Sequence, residues 1–464
     1  MTKKIYFVET AGSIANIFEN QMKLPLLGSL YLGTILHNAG YEVQILNENI
    51  LKKKIHPIEL DADYVCLSCL TLSASRTIEL ARGVRRMYPR TKLIVGGIHP
   101  SLLPEEFIST ADHIVIGEAE EIILDIIEGK YTDQIIYGRP VKNLDELPLI
   151  NYRLLKRSKR MNIIPVMTSR GCPFNCNFCT VTTVFGKAFR QQSIDRIIRE
   201  IKHAVQYFNR TSIFFYDDNF TTNKRFSNEL FDRFIKEKLN ISWTAQVRAD
   251  IVRDAEVLGK MFKAGCDRVF IGFESVDERV LKAYGKSQTR ADIEKAIHKI
   301  HAQGINIHGM FMFGEDNDTL ESIDHTVDFA ITNYIDTVQF MALTPFPGTQ
   351  IYEKINSEKR LLHTNWDYFN GMHVVHKPMK ISPLELQEGL VNAHKKFYSF
   401  SRTMLDLLYF AFNITFDAFV WNFKHVRRYD INNLYLKAGA KFIISVYIKF
   451  HRNYISYLQN SVSQ

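Results

Sequence analysis

Three of the chain's six cysteines fall within eight positions, in the run Arg170-Gly-Cys-Pro-Phe-Asn-Cys-Asn-Phe-Cys179. This C-x3-C-x2-C spacing puts Cys172, Cys176 and Cys179 on one tight loop that the fold must present. Three thiolates so placed can hold three irons of a [4Fe–4S] cube and leave the fourth iron without a protein ligand. A small molecule can chelate that iron and receive an electron through it, whereas electron carriers ligate every iron with cysteine. Structural zinc needs a fourth nitrogen or sulfur ligand, and no His or Cys occurs in the twenty residues after Cys179. The thiols must stay reduced, which argues against a secreted disulfide scaffold. The start, Met1-Thr-Lys-Lys-Ile-Tyr-Phe-Val-Glu9, is a charged entry to a strand rather than a signal peptide. The expected compartment is the cytoplasm.

At 464 residues the chain has room for two or three domains. Residues 1–130 place strands at Lys4–Val8, Val43–Leu46, Tyr64–Ser68, Lys92–Val95 and His113–Ile116. Helical stretches lie between them, at Leu26–Asn38, Thr77–Tyr88 and Glu105–Ser109, and Glu118–Glu128 closes the set. That alternation predicts an α/β domain with a doubly wound parallel sheet, whose ligands sit beyond the carboxyl ends of the strands. The loops at those ends are Ser68-Cys-Leu-Thr71, Gly96-Gly-Ile-His99 and Gly117-Glu118, and glycine there lets backbone approach a flat ligand. A G-x-G-x-x-G fingerprint is missing, which disfavours a dinucleotide. Cys66 and Cys69 straddle a strand end and are expected to be buried thiols.

Residues 131–161 are expected to be a linker, because Pro140, Pro148 and the charged Lys156-Arg-Ser-Lys-Arg160 break any hydrophobic period. A second α/β unit follows over 162–355. Its strands fall at Asn162–Thr168, Ser212–Tyr216, Ser242–Gln246, Arg268–Gly272, Asn306–Phe311 and Thr337–Leu343. Amphipathic helices such as Ser193–Tyr207, Phe226–Lys238 and Arg290–Ala302 separate them. Six strand–helix repeats predict a partial (β/α)6 barrel with its active groups on the carboxyl-terminal rim. Residues 356–464 are expected to be mainly helical.

The segment Thr168–Cys179 resembles the radical S-adenosylmethionine (SAM) superfamily, whose defining motif has this spacing. The Ser/Thr and Gly-Gly loops of the first domain resemble those of a cobalamin-binding domain. Together they are similar to the cobalamin-dependent radical SAM enzymes, above all their C-methylases. The resemblance implies a [4Fe–4S] cluster, SAM on its open iron and cobalamin opposite, with reductive cleavage of SAM to a 5'-deoxyadenosyl radical. It puts Phe178 near the adenine, Asp217 and Asp218 by the SAM ammonium, Arg248 on the SAM carboxylate and Glu274 on the ribose. It also runs Gly309 and Gly314 along the adenine and makes Thr344-Pro-Phe-Pro-Gly-Thr349 a rim loop. Taken alone, Asp217-Asp-Asn219 also reads as a helix cap and Arg248 as a surface arginine. For cobalamin it implies Ser68, Leu70, Thr71, Gly96, Gly97, His99, Gly117 and Glu118. Relatives that ligate cobalt from below carry Asp-x-His-x-x-Gly after the first strand. Here Thr10-Ala-Gly-Ser-Ile-Ala-Asn16 has no histidine, so cobalt is expected to lack a lower His ligand from this domain.

The implied reaction is methylation of an unactivated carbon of a small-molecule or lipid substrate, with an electron donor such as flavodoxin or ferredoxin. Cyclisation, ring contraction, coupling or oxidation without methyl transfer would use the same residues. A tRNA methylthiotransferase would need three further N-terminal cluster cysteines, where only Cys66 and Cys69 stand. A non-catalytic iron–sulfur or cobalamin sensor would not need the ordered rim residues. The net charge of +8 comes without an RNA-binding motif, so no nucleic-acid partner is expected. Over 401–464, eight Lys or Arg meet three Asp, and Leu405–Trp421 and Lys441–Phe450 are rich in aromatic and apolar residues. Two outcomes fit that pattern: a helical cap on the barrel, or peripheral contact with a membrane surface.

Overall fold

The computed structural model describes residues 2–12, 23–399, 404 and 451–460. The first sheet contains β1 (Lys4–Glu9), β2 (Glu42–Asn47), β3 (Tyr64–Ser68), β4 (Lys92–Gly96), β5 (His113–Ile116) and β6 (Ile135–Tyr137). Its order is β2-β1-β3-β4-β5-β6 and every pair is parallel. Val65, Leu67, Leu93, Val95 and Ile114 are all buried, as a parallel sheet covered on both faces requires. The winding reverses between β1 and β3, and such a switch point opens a crevice at the strand ends.

Two expectations for this region change. Ile135–Tyr137, inside the presumed linker, pairs with β5 as a sixth strand; three residues are too few for a period to show. The expected helix Glu118–Glu128 is regular only over Ile123–Ile127, because its first residues turn to meet arginines of the second domain.

The second sheet runs β14-β13-β12-β11-β10-β7, again parallel. Its members are β7 (Ile164–Val166), β10 (Ser212–Phe215), β11 (Ser242–Val247), β12 (Cys266–Glu274), β13 (Asn306–Phe313) and β14 (Thr337–Ala342). A short ribbon of β8 (Ser169–Arg170) and β9 (Arg190–Gln191) stands apart. Strands β7 and β14 are the two ends of the sheet, so the barrel is partial. Helices Ile194–Phe208, Lys224–Lys236, Ala255–Lys263, Arg290–Ala302 and Leu320–Thr332 alternate with these strands along the chain. Ser193, Asn223, Asp254, Thr289 and Thr319 cap them, each accepting the backbone N–H three residues on.

The domains interlock. Tyr31, on helix Leu27–Asn38, donates to Glu200 Oε1 of the barrel at 2.9 Å in a buried setting. From the C-terminal region, Trp366 donates its Nε1–H to Glu106 Oε1 of the first domain at 2.8 Å. Helix Pro383–Phe397 packs beside β14, and Tyr398 bonds both ways to the backbone of Val338. Residues 451–460 are helical and dock through Tyr454, whose hydroxyl donates to Val374 O at 2.7 Å. The expectations for Leu405–Trp421 and Lys441–Phe450 lie outside the described residues. No described helix is long and apolar enough to cross a membrane.

Candidate functional site

β7 ends at Val166, and the chain turns through Thr168 into the β8–β9 ribbon, where Ser169 faces Gln191. The ribbon closes the base of the excursion that carries Cys172, Cys176 and Cys179. At its entrance Gly171 has φ +83°, and a Cβ there would stand 2.5 Å from Ala188 O, so this close approach needs glycine. The three thiols are half-buried. Asn177 anchors the loop, donating Nδ2 to Ala283 O at 2.7 Å and accepting from the Ile351 N–H at 3.1 Å. Thr183 donates to Gly348 O at 3.1 Å, in the rim loop Thr344–Thr349. Phe178 meets Tyr284 edge-on at 5.2 Å. Burial pushes the Cys172 thiol up, and Cys179 up to about 11, so a metal must displace protons there. Among the described residues no three His, Cys, Asp or Glu side chains form a site for a single ion, and the three thiols of the loop act electrostatically on one another.

The two aspartates after β10 divide their work. Asp217 is 1% exposed and accepts from the Thr168 N–H (3.1 Å), Thr168 Oγ1 (2.9 Å) and Ser169 Oγ (2.5 Å). Burial pushes it up to about 7. It positions the start of the cysteine loop, and these bonds engage the carboxylate expected beside the SAM ammonium. Asp218 is open to solvent within a protein-lined recess, and desolvation pushes it up to about 6. Its charge is felt by Cys172 and Cys179, so it is the carboxylate left for a cation.

Arg248, at the end of β11, lays its guanidinium 3.7 Å from the centre of the Phe174 ring in the cysteine loop. Its buried Nε has no hydrogen-bond acceptor, Asp250 being 3.8 Å away. A donor held without a partner beside the cysteines suits a carboxylate ligand. Glu274 ends β12 at a bulge with φ +63°, a costly conformation for a residue with a side chain. Lys286 holds its Oε1 at 2.7 Å and also donates to Gly272 O. The expected ribose acid is therefore already ion-paired on one oxygen. At Gly309 the space of the missing side chain is bounded by Ile335, Phe311 and Phe273, so a glycine suits the core packing there.

On the first domain the loops after β3, β4 and β5 are laced together. The Cys69 N–H donates to Gly96 O at 2.9 Å and the His99 N–H to Cys69 O at 3.2 Å. Ser101 donates to Gly97 O at 2.7 Å and accepts from the Gly117 N–H at 3.0 Å. Gly97 has φ +107°, and a Cβ there would lie 2.6 Å from Cys69 O. Ser68, Leu70, Gly96, Gly97 and Gly117 reach the surface of this rim, with Ser68 Oγ 2.8 Å from Ser29 Oγ. Thr71, His99 and Glu118 are buried. His99, expected at the ligand, lies edge-on to Trp366 at 5.3 Å with Nε2 3.1 Å from Glu106. Cys66 and Cys69 are buried thiols, both pushed up to about 12 by burial. The stretch from Ser13 to Asn16 lies outside the described residues.

The Glu118 carboxylate is engaged within the protein. Its Oε2 accepts from Arg170 Nη1 at 2.8 Å and Arg190 Nη1 at 2.9 Å, and its Oε1 from Arg190 Nη2. Arg170 Nη2 reaches Glu120 Oε1 at 2.6 Å. Desolvation alone would raise Glu118; the hydrogen bond from Arg190 and the charge of Arg170 outweigh it and hold it below the usual carboxylate range. This buried clamp joins the loop after β5 to the residue two before Cys172. The motif contained Arg170, but nothing nearby in the chain showed its partners; Arg190, Ser101, Ser29, Phe174 and Lys286 gave no signal either.

Residues 166–330 match the Radical SAM superfamily and residues 17–127 the B12 binding domain. The chain is 30% identical over 399 residues to the bacteriochlorophyllide d C-8(2)-methyltransferase of Chlorobaculum tepidum, covering 81% of this chain and 86% of that protein. The chain belongs to the radical SAM enzymes that carry a B12-binding domain. The anaerobic magnesium-protoporphyrin IX monomethyl ester cyclase of Cereibacter sphaeroides is 23% identical, over 79% of this chain and 66% of that protein. The solved structure of the cobalamin-dependent radical enzyme OxsB, with aqua-cobalamin and SAM bound, shares the fold at a TM-score of 0.68 and 16% identity, covering 99% of this chain and 81% of that one. The protein is thus a cobalamin-dependent radical SAM enzyme whose cofactors are a [4Fe–4S] cluster, SAM and cobalamin. Its residues fit them: three thiols on one loop, an arginine donor without an acceptor beside them, and a rim where Gly117 would have open space around a Cβ.

Proposed function

We propose that this enzyme methylates an unactivated carbon of a large, mainly apolar small molecule, in the size range of tetrapyrroles or polycyclic lipids. The observation that carries this reading is the buried Arg170–Glu118–Arg190 clamp, which ties the cysteine loop to the rim of the B12-binding domain. A substrate then sits between two cofactor faces whose separation is fixed. When bound, the cluster supplies the electron that splits SAM, and cobalamin supplies the methyl group. Cys172, Cys176 and Cys179 hold the cluster, Arg248 and Asp218 receive the carboxylate and ammonium of SAM, and Asp217 keeps the loop in register. Ser68, Leu70, Gly96, Gly97 and Gly117 form the opposing floor. An electron donor of the flavodoxin or ferredoxin type serves the cluster.

The substrate class is supported by the relatives. Two relatives, at 30% and 29% identity, are bacteriochlorophyllide d methyltransferases, and a hopanoid C-2 methylase is 24% identical. Anaerobic turnover with SAM, dithionite, cobalamin and bacteriochlorophyllide or a hopanoid tests the reading. S-adenosylhomocysteine beside 5'-deoxyadenosine, with a product heavier by one methylene, is expected. 5'-Deoxyadenosine alone, with a product that has gained no carbon, would shift the assignment to the cyclase chemistry of the protoporphyrin relatives.

A further inference from the structure

At the ends of β7 and β10 opposite the cysteine loop, the β2 edge of the first sheet meets the floor of the barrel. The Lys156 N–H donates to Ile45 O at 2.9 Å, Arg160 Nη1 to Leu51 O at 3.3 Å, and the Lys23 N–H to Asn162 Oδ1 at 3.2 Å. This junction leaves a cavity of about 440 Å³ whose lining, among the described residues, holds five cations, Lys23, Lys52, Lys159, Arg160 and Arg210, and no carboxylate. None of the five forms an ion pair among the described residues, whereas Arg76, Arg85, Arg170, Arg190 and Arg360 are each paired.

Three of the five charges, those of Lys159, Arg160 and Arg210, are held in place by neutral groups. Lys159 lies over the Tyr207 ring at 4.0 Å and donates to Tyr207 O. Arg210 donates to Met161 O and, at 3.3 Å, to Lys159 O. Carbonyls and a ring satisfy these donors but leave the charges uncompensated, so the cations repel one another until an anion enters. Guanidinium forks match phosphate oxygens in pairs, and ammonium groups add point charge. The volume is that of an ordinary ligand site.

We propose that this cleft binds a phosphate-bearing anion, either a soluble phosphate ester or the headgroup of an anionic lipid. The site is separate from the cofactor rims, and its walls come from both domains, so its occupant braces their junction.

The test uses the full chain at matched ionic strength. Inorganic pyrophosphate is expected to bind in equilibrium dialysis and to raise the unfolding temperature. Flotation with phosphatidylglycerol vesicles but not phosphatidylcholine vesicles, competed by pyrophosphate, identifies the lipid source; pyrophosphate binding without flotation identifies the soluble one. Lys23→Gln with Lys52→Gln removes two cations whose side chains hold no carbonyl among the described residues, so folding is preserved. That variant is expected to bind pyrophosphate at least about tenfold more weakly, the worth of one charge-assisted hydrogen bond. Lys236→Gln with Lys263→Gln, the same charge change on two distant exposed helix ends, is expected to bind as wild type. The proposal is overturned if pyrophosphate neither binds nor stabilises, if the double variant binds it unchanged, or if only RNA binds.

Discussion

Replacing Arg170 by methionine removes a cation shared by two carboxylates, and the two are left in different positions. Glu118 keeps Arg190 on both oxygens. Glu120 loses the guanidinium at 2.6 Å while only 6% of its side chain is exposed. Leaving one charge of a buried pair behind costs roughly 3–5 kcal/mol. Neutralisation sets a ceiling on that cost: protonating an ordinary glutamate at pH 7 takes about 3.7 kcal/mol, from a reference pKa of ~4.3 at ~1.36 kcal/mol per unit. The expected loss at pH 7 is therefore about 3–4 kcal/mol in unfolding free energy, read from urea denaturation. The ceiling drops by about 1.4 kcal/mol for each pH unit, so the deficit against wild type shrinks toward pH 5. Adding Glu120→Gln to the variant restores most of the stability. In turnover, the variant continues to form 5'-deoxyadenosine while methylated product falls, because the cysteine loop keeps only the Arg190 tie to the cobalamin rim. A deficit below about 1 kcal/mol, the range of exposed pairs, or one that keeps its size between pH 7 and pH 5, would refute the reasoning.

Cys176→Ala is expected to abolish cluster assembly, measured as iron and sulfide content after anaerobic reconstitution, while cobalamin binding by the first domain persists. Gly97→Ala places a methyl 2.6 Å from Cys69 O at φ +107°, and is expected to cost about 1–3 kcal/mol of stability and to weaken cobalamin binding in a spectral titration. Burial holds His373 down to about 3 and His376 and His394 down to about 4. The unfolded chain takes up these protons near the reference value of ~6.5, so stability is present above that pH and is lost as pH falls toward 4. Urea midpoints measured from pH 7 to pH 4 are expected to fall along this course, and His376→Gln should make the fall shallower.

What the sequence makes legible is what adjacent residues decide. The C-x3-C-x2-C loop is a local pattern, and the parallel strands announce themselves as short apolar runs between capped helices. The allocation of polar atoms is not local. Asp217 and Asp218 look alike in the chain, yet Asp217 is claimed by Thr168 and Ser169, 49 and 48 positions earlier. Glu118 seemed a rim residue until Arg170 and Arg190, 52 and 72 positions later, engaged it. His99 stands next to a Gly-Gly pair but is sealed by Trp366, which comes from the C-terminal region. In each case an internal contact from far along the chain occupies a group that sequence pattern assigned to a ligand. The groups left for ligands are those that remain uncommitted once the fold is closed: the Arg248 Nε, the open Asp218, and the rim at Gly117 with space above it. A buried polar atom without a partner is costly in a folded chain, so its persistence beside the three cysteines points to a bound group that completes it.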